Sequence, residues 1–302
     1  MNRARRAVAG TGLDPSGADS VRTSVVLPAY NEVDNLPRLV DEIIDVFVDE
    51  DEYCPIEIVV VDDGSTDGTR ERIRGLSETH ATITGVLLSR NFGQSAALSA
   101  GIDRAAGEWI VLLDADRQND PDDIPNLLDE LREGYDCVSG WRRDRDDPLR
   151  KTIPSAIQTQ LARWTGPDIH DFGCTLKAYR ADALTDLSLY GERHRYIPAQ
   201  LYNRGYRITE LPVNHRPRTE GRTKYGPARL VRGFVDLLFY LFWNRYSTSP
   251  IHLLGGVGLA SFSVGVLIGL HAVVSKYVFG QSLLTEVPRL ILTVALILFG
   301  VI

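Results

Sequence analysis

The chain has 302 residues, 44% of them hydrophobic, three cysteines and a formal charge of −7. That length can bury a substantial core, and Cys54, Cys137 and Cys174 form no CxxC pair, which argues against a disulfide framework and a cysteine zinc site. Residues 1–140 carry 12 basic and 28 acidic side chains (−16) whereas residues 141–302 carry 21 and 12 (+9), so the basic half is also the half with the long apolar segments. This polarity fits a cytoplasmic enzyme facing anionic headgroups and phosphorylated ligands; a nucleic-acid binder would show a basic domain with a recognition motif.

Residues 1–20 lack an apolar h-region and read as a disordered tail rather than a signal peptide. Residues 21–28 form a short apolar run ending in Pro28-Ala-Tyr30-Asn31-Glu32, and Leu36, Leu39, Val40, Ile43, Ile44 and Phe47 follow at helical spacing. The unit repeats. Residues 56–61 are β-branched, Asp62-Asp63-Gly64-Ser65 turns the chain, and residues 66–76 predict a helix capped by Ser65 or Thr66. A strand over 82–88, a loop at Arg90-Asn91-Phe92-Gly93, a helix through Ala105 and a strand over 109–113 continue the alternation, which predicts a mainly parallel sheet covered by helices. The loops at residues 30–32, 62–65 and 114–118 then share one crevice at the carboxyl ends of the strands. Neither GxGxxG nor GxxxxGK[ST] is present, so a dinucleotide fold and a P-loop are unsupported.

The strand over 109–113 runs into Asp114-Ala115-Asp116-Arg117-Gln118. On an extended segment side chains two apart point the same way, so Asp114, Asp116 and Gln118 would offer three oxygens to one hard cation, Mg²⁺ or Mn²⁺. Mg²⁺ leaves positions for water and substrate phosphates, which suits a diphosphate-bearing substrate. The plainer alternative is a solvated acidic turn. An EF-hand loop fits poorly, because its sixth and twelfth positions would be Asn119 and Pro125.

Residues 121–132 predict a helix and 135–140 a strand, after which the chain turns basic and irregular, as an acceptor side would. A further strand is expected over 208–213, then a polar loop over 215–226 with Arg216, Arg218, Arg222 and Lys224. Residues 227–249 carry Leu230, Val231, Phe234, Leu237, Leu238, Leu241 and Phe242 at helical spacing and predict interfacial amphipathic helices. Residues 251–274 hold no Lys, Arg, Asp or Glu and can span a bilayer; the uncharged run from Leu290 to Ile302 is shorter than the roughly 20 residues a span needs, so the hairpin's second helix is expected to be cut short. Arg229, Arg232 and Arg245 precede the first span while the connector carries only Lys276 as a basic residue, which predicts a cytoplasmic catalytic domain. His80, His170, His252 and His271 lack metal-ligand spacing and read as structural or interfacial.

Seven stretches, taken together and in order, resemble the family-2 glycosyltransferases of GT-A fold, specifically the polyprenyl-phosphate glycosyltransferases. They are residues 25–32 (VVLPAYNE), 61–69 (VDDGSTDGT), 114–118 (DADRQ), 140–148 (GWRRDRDDP), 171–180 (DFGCTLKAYR), 194–198 (HRYIP) and 218–226 (RTEGRTKYG). The resemblance implies a catalytic domain over 21–226, interfacial helices over 227–249 and a membrane hairpin over 250–302. It implies sugar transfer, with inversion, from a nucleotide-diphosphate sugar to polyprenyl or dolichyl phosphate. UDP-glucose is the first expected donor, since residues 173–180 and 194–198 resemble the glucosyl branch, and GDP-mannose is second. By the same implication Pro28, Tyr30, Glu32, Asp62 and Asp63 hold the nucleotide, and Asp114, Ala115, Asp116 and Gln118 meet the metal and diphosphate. Arg142 and Arg150 grip the acceptor phosphate, Arg218 and Lys224 close over the diphosphates, and Asp171 is a weak base or an orienting group. Arg117 and Thr175 depart from the residues common at those places, and Thr175 is assigned to the acceptor side. A homo-oligomer is compatible with this picture.

Two rival readings stand beside it. Gln160-Leu-Ala-Arg163-Trp164 matches the QxxRW motif of processive polysaccharide synthases, but precedes Asp171 instead of following it. A membrane-anchored, inactive nucleotide-sugar-binding scaffold is the other, against which intact Asp114 and Asp116 argue.

Overall fold

The computed structural model describes residues 20–48, 50–143, 166–185, 187, 189–191, 193–216, 250–279 and 283–301. The predicted tail, the interfacial helices, Arg150, Arg218, Lys224 and the QxxRW stretch lie outside the described residues. The chain divides into two compact units, Met1–Leu237 and Leu238–Ile302.

Among the described residues the first unit holds a seven-stranded sheet. Its strands are β1 (Thr23–Ala29), β2 (Ile56–Asp62), β3 (Ile83–Leu87), β4 (Trp109–Leu112), β5 (Cys137–Trp141), β6 (Lys177–Arg180) and β7 (Ile208–Pro212), in the order β3-β2-β1-β4-β6-β5-β7. β1 pairs in parallel with both β2 and β4, β2 with β3, and β5 with β7, while β6 runs antiparallel to both β4 and β5. The sheet is therefore mixed. Its helices are α1 (Leu36–Val46), α2 (Thr69–Thr79), α3 (Gln94–Arg104), α4 (Ile124–Arg132) and α5 (Ile197–Asn203).

β1 is buried almost throughout, which is why its sequence reads as an unbroken apolar run and not as an alternation. Val25 and Leu27 point into one core with the α1 stripe of Leu36, Leu39, Val40 and Ile43 and the α4 stripe of Leu127, Leu128 and Leu131. Val26 points into a second core with Ala97 and Leu98 of α3 and with Ile197 and Leu201 of α5. Burying each such aliphatic side chain contributes about 1.5–3 kcal/mol.

Three local expectations are corrected. The helix after β2 starts at Thr69, because Ser65 and Thr66 are bonded to Asn31 and the chain turns at Gly68 with φ +96°; Asp67 Oδ1 accepts from the Thr69 N–H instead. The stretch over 121–132 opens with a 3₁₀ turn, Pro121–Asp123, before α4. β6 is not foreseen: its four residues are Lys-Ala-Tyr-Arg, and burial between β4 and β5 makes them a strand.

The second unit is described by α6 (Pro250–Phe279) and α7 (Leu283–Val301). Within α6, Leu254–Val278 is long and apolar enough to cross a membrane, whereas the apolar part of α7, Val287–Gly300, is shorter. The two helices pack through small residues. A Cβ on Gly258 would lie 2.9 Å from the Gly300 carbonyl oxygen, one on Gly265 2.9 Å from Ile297 Cγ1, and one on Gly269 2.9 Å from Thr293 Cγ2. Ser261 Oγ donates to the Leu296 carbonyl at 3.0 Å across the same seam.

Candidate active site

The strand order reverses between β1 and β4, and the loops that leave the carboxyl ends of β1 to β4 are sewn together there. Asn31, at φ +57°, donates its N–H to Ser65 Oγ (2.9 Å) and accepts the Thr66 N–H on Oδ1 (2.8 Å); Glu32 N–H donates to Thr69 Oγ1 (2.9 Å). Asp63 accepts the N–H groups of Phe92 (2.7 Å) and Gly93 (2.9 Å). Gly64, at φ +72°, lies so close to the loop after β3 that a Cβ would sit 2.3 Å from the Arg90 carbonyl carbon. Gln94 Nε2 then donates to Asp114 Oδ1 at 2.6 Å. One hydrogen-bonded rim therefore joins the three loops expected to share a crevice, with the loop after β3 between them.

Asp62 and Asp63 are largely engaged in holding this rim. Asp62 is fully buried and accepts from Arg70 Nε (3.0 Å), Arg70 Nη2 (2.9 Å) and the Ser65 N–H (3.0 Å). Burial raises the pKa of Asp63, with Phe92 and Gly93 pulling it back. Pro28 is the penultimate residue of β1, whose end at Ala29 leads into Tyr30 and Glu32 on the same rim.

Asp114, Asp116 and Gln118 line one cavity, though not for the reason their spacing suggests. The segment is a turn, not an extended run: Arg117 takes φ +58°, and Asp116 Oδ1 accepts the Gln118 N–H at 3.1 Å. The Arg117 side chain pairs with Glu42 on α1, outside the residues that line the cavity. Burial, and then the like charge of Asp116, push Asp114 up to about 7, against a hydrogen bond from Thr175 and the positive charges of Arg195 and Arg142. Thr175 thus stands beside Asp114, and its hydroxyl accepts from Asn119 Nδ2 at 2.7 Å.

A buried carboxylate raised by desolvation and by the negative charge of a second carboxylate beside it fits a divalent cation. Among the described residues no group of three His, Cys, Asp or Glu side chains could hold a metal by itself, so a cation on Asp114, Asp116 and Gln118 would complete its shell with water or substrate phosphate.

Across the cavity Arg142 forks onto Asp171, Nε to Oδ2 at 2.7 Å and Nη2 to Oδ1 at 3.0 Å, and Gly173 N–H adds a third bond to Oδ1 at 3.0 Å. Burial works against the Arg142 charge, but the bond to Asp171 and its charge outweigh it and raise the pKa. The sequence motifs point to both residues without joining them. Arg195 and Lys177 also stand within those motifs but were not expected in the site, and nor were Gln94 and His194; all four line the cavity. His194 Nδ1 lies 2.8 Å from Ser95 Oγ, whose hydroxyl donates to the Gly191 carbonyl, so Nδ1 carries the proton of that bond. His170 is structural, stacked on Trp141 at 4.3 Å and paired with Glu210. Behind the metal-side turn, Arg216 N–H donates to the Gln118 carbonyl (2.7 Å) while its guanidinium reaches Asp120 and Glu42.

Sheet order and switch-point crevice together are those of the GT-A glycosyltransferases. Residues 24–188 match the family model for glycosyl transferase family 2, and the chain belongs to that family. It is 39% identical over 288 residues to a dodecaprenyl-phosphate galacturonate synthase of Rhizobium johnstonii, a match covering 93% of this chain and 84% of that protein. It is 34% identical over 261 residues to an undecaprenyl-phosphate 4-deoxy-4-formamido-L-arabinose transferase of Shewanella sediminis, covering 86% and 77%. Among solved structures, a mannosyltransferase from Pyrobaculum calidifontis in complex with GDP-Man and Mn²⁺ superposes with a TM-score of 0.50 at 22% identity, over 92% of this chain and 87% of that one.

Proposed function

We propose that this chain transfers a sugar, with inversion, from a nucleotide-diphosphate donor to a polyprenyl phosphate at the cytoplasmic face of a membrane. The observation that carries the reading is that one cavity is lined both by the Asp114–Asp116 pair and by the cations Arg142, Arg195 and Lys177. A divalent cation, Mg²⁺ or Mn²⁺, held by Asp114, Asp116 and Gln118 would supply positive charge to the departing nucleoside diphosphate. Pro28, Tyr30, Glu32 and Asp63 border the nucleotide end. Arg142 and, by sequence, Arg150 serve the acceptor phosphate, with Arg218 and Lys224 over the donor diphosphates.

A phosphate monoester, with a second pKa of about 6, is largely ionised at neutral pH and needs little help from a base. Asp171, both of whose oxygens are held by Arg142, is then an orienting group that sets the guanidinium for the incoming phosphate. The two named relatives act on an acidic and a formamido sugar, so they do not favour UDP-glucose or GDP-mannose as the donor.

The test is to incubate membranes containing the protein with undecaprenyl phosphate and a panel of radiolabelled nucleotide sugars. Label should enter the organic phase only when lipid phosphate and a divalent cation are both supplied. Label in a long water-soluble polymer would return the processive-synthase reading, and none in either phase the inactive scaffold.

A further inference from the structure

The cavity extends past the Asp114–Asp116 pair along β4 and β6 to Leu112, Lys177 and Tyr179. Lys177 and Tyr179 are two apart on β6 and share a face, and Lys177 lies opposite Leu112, two residues before Asp114. At about 3.3 Å per residue that is roughly 7 Å below the metal side, a depth comparable to one hexose.

Lys177 is 3% exposed, and its ammonium donates to two peptide oxygens, those of Cys174 and of Phe172 (3.4 Å). No carboxylate among the described residues pairs with it. Tyr179 is fully buried, and its hydroxyl has no hydrogen-bond partner among them. Burial lowers the pKa of the Lys177 ammonium, an effect that nearby negative charge including that of Asp171 only partly offsets, and one N–H remains to be used. The facing phenol can donate as well. A sugar hydroxyl would answer the hydrogen bonds but not the charge; a carboxylate answers both.

Resting on the reading above, we infer that Lys177 and Tyr179 read the charge of the donor sugar, and that the donor is a nucleotide-linked uronic acid whose carboxylate seats on the Lys177 ammonium with the Tyr179 hydroxyl beside it. The anomeric carbon then faces the metal side and the C6 carboxylate the floor. Arg142 and Arg195 also face this cavity with positive charge, and Asp114 and Asp116 are its acidic groups, with the charge of both arginines reaching Asp114.

The test uses the full-length protein in detergent, undecaprenyl phosphate as acceptor, and two matched donor pairs, UDP-galacturonate against UDP-galactose and UDP-glucuronate against UDP-glucose. The better uronate should exceed its neutral partner in kcat/KM by about 100-fold, the scale of one charge-assisted hydrogen bond in a buried site. Lys177→Met should remove most of that ratio by slowing the uronate far more than the neutral sugar, and Tyr179→Phe should lower the uronate rate by about 5- to 10-fold. A purely structural lysine, needed only to hold the 172–174 loop, would slow both donors alike, and that result overturns the inference. So does a wild-type enzyme that prefers neutral hexoses. Should Lys177→Met not fold, calorimetric binding of each pair to the wild-type protein decides it, with equal affinities contradicting the inference. Transfer of neutral sugars to lipid phosphate as fast as or faster than the uronates sinks this inference and leaves the proposed function standing; lack of transfer from every nucleotide sugar sinks both.

Discussion

Arg142 and Asp171 are 29 residues apart in sequence and bonded twice in the fold, at 2.7 and 3.0 Å, beside a glycine whose Cβ would lie 3.3 Å from the guanidinium. The pair fixes which way the guanidinium faces before any substrate arrives. Lysine in place of Arg142 would keep the charge and lose the fork. Arg142→Ala should lower kcat/KM for polyprenyl phosphate by about 100-fold or more, Arg142→Lys should fall between, and Arg142→Ala/Asp171→Ala together should cost much less than the two single losses summed. If Asp171 only orients, Asp171→Asn lowers the rate but leaves the pH profile of kcat in place. Loss of an ionisation from that profile would make Asp171 a base.

Asp116→Asn removes charge at the cation while nearly preserving shape. Turnover should fall by at least about 100-fold, and the remaining activity should need higher Mn²⁺. Undiminished transfer in the presence of EDTA would refute the metal assignment.

The raised Asp114 carboxyl has a consequence for stability. An unfolded aspartate titrates near ~3.9, so between there and about 7 the folded chain holds a proton the unfolded chain has lost. This group's contribution is complete at low pH and is lost as pH rises toward about 7. Without metal, the Tm of the wild type should therefore fall relative to Asp114→Asn between about pH 5 and about pH 8, and Mn²⁺ should restore it most at the alkaline end. Thermal scans of both proteins across that range, with and without Mn²⁺, read this directly. Parallel curves would deny the strained carboxylate pair.

Much of this is legible in the residues. β1, β2 and β4 announce themselves because strands buried on both faces are continuous apolar runs, and their acidic ends mark the crevice. Asp114, Asp116 and Gln118 group correctly by spacing, but through the wrong geometry, since the left-handed turn at Arg117 is not written in an Asp-x-Asp pattern. β6 is hidden because both ends of Lys177–Arg180 are basic and only tertiary burial makes it a strand. The Arg142–Asp171 bond and the Gln94–Asp114 hydrogen bond, across 29 and 20 residues, come from chain crossovers that no local pattern records.

The glycine seam between α6 and α7 predicts a specific failure. At Gly265 a side chain would meet Ile297 Cγ1 at 2.9 Å and Leu296 Cβ at 3.1 Å, so Gly265→Leu should part the helices at a cost of about 1–3 kcal/mol. Ser261→Cys with Leu296→Cys should form a disulfide in the parent protein and lose it in the Gly265→Leu background. Equal crosslinking would contradict the packing.

The proposed cytoplasmic placement rests on the basic residues that precede α6 in the sequence and is checked in sealed cells. Protease should reach the catalytic unit only after the membrane is opened. Digestion in intact cells would reverse the topology.

Whether the nucleophile is a lipid phosphate is decided by one pair of reactions. Purified enzyme, Mn²⁺ and the preferred nucleotide sugar should be given polyprenyl phosphate in the first and the dephosphorylated polyprenol in the second, with the lipid products weighed by mass spectrometry. A glycosyl phosphodiester is expected from the first and nothing from the second. A glycosylated polyprenol, or an oligosaccharide elongated without any lipid phosphate, would contradict a phosphate nucleophile.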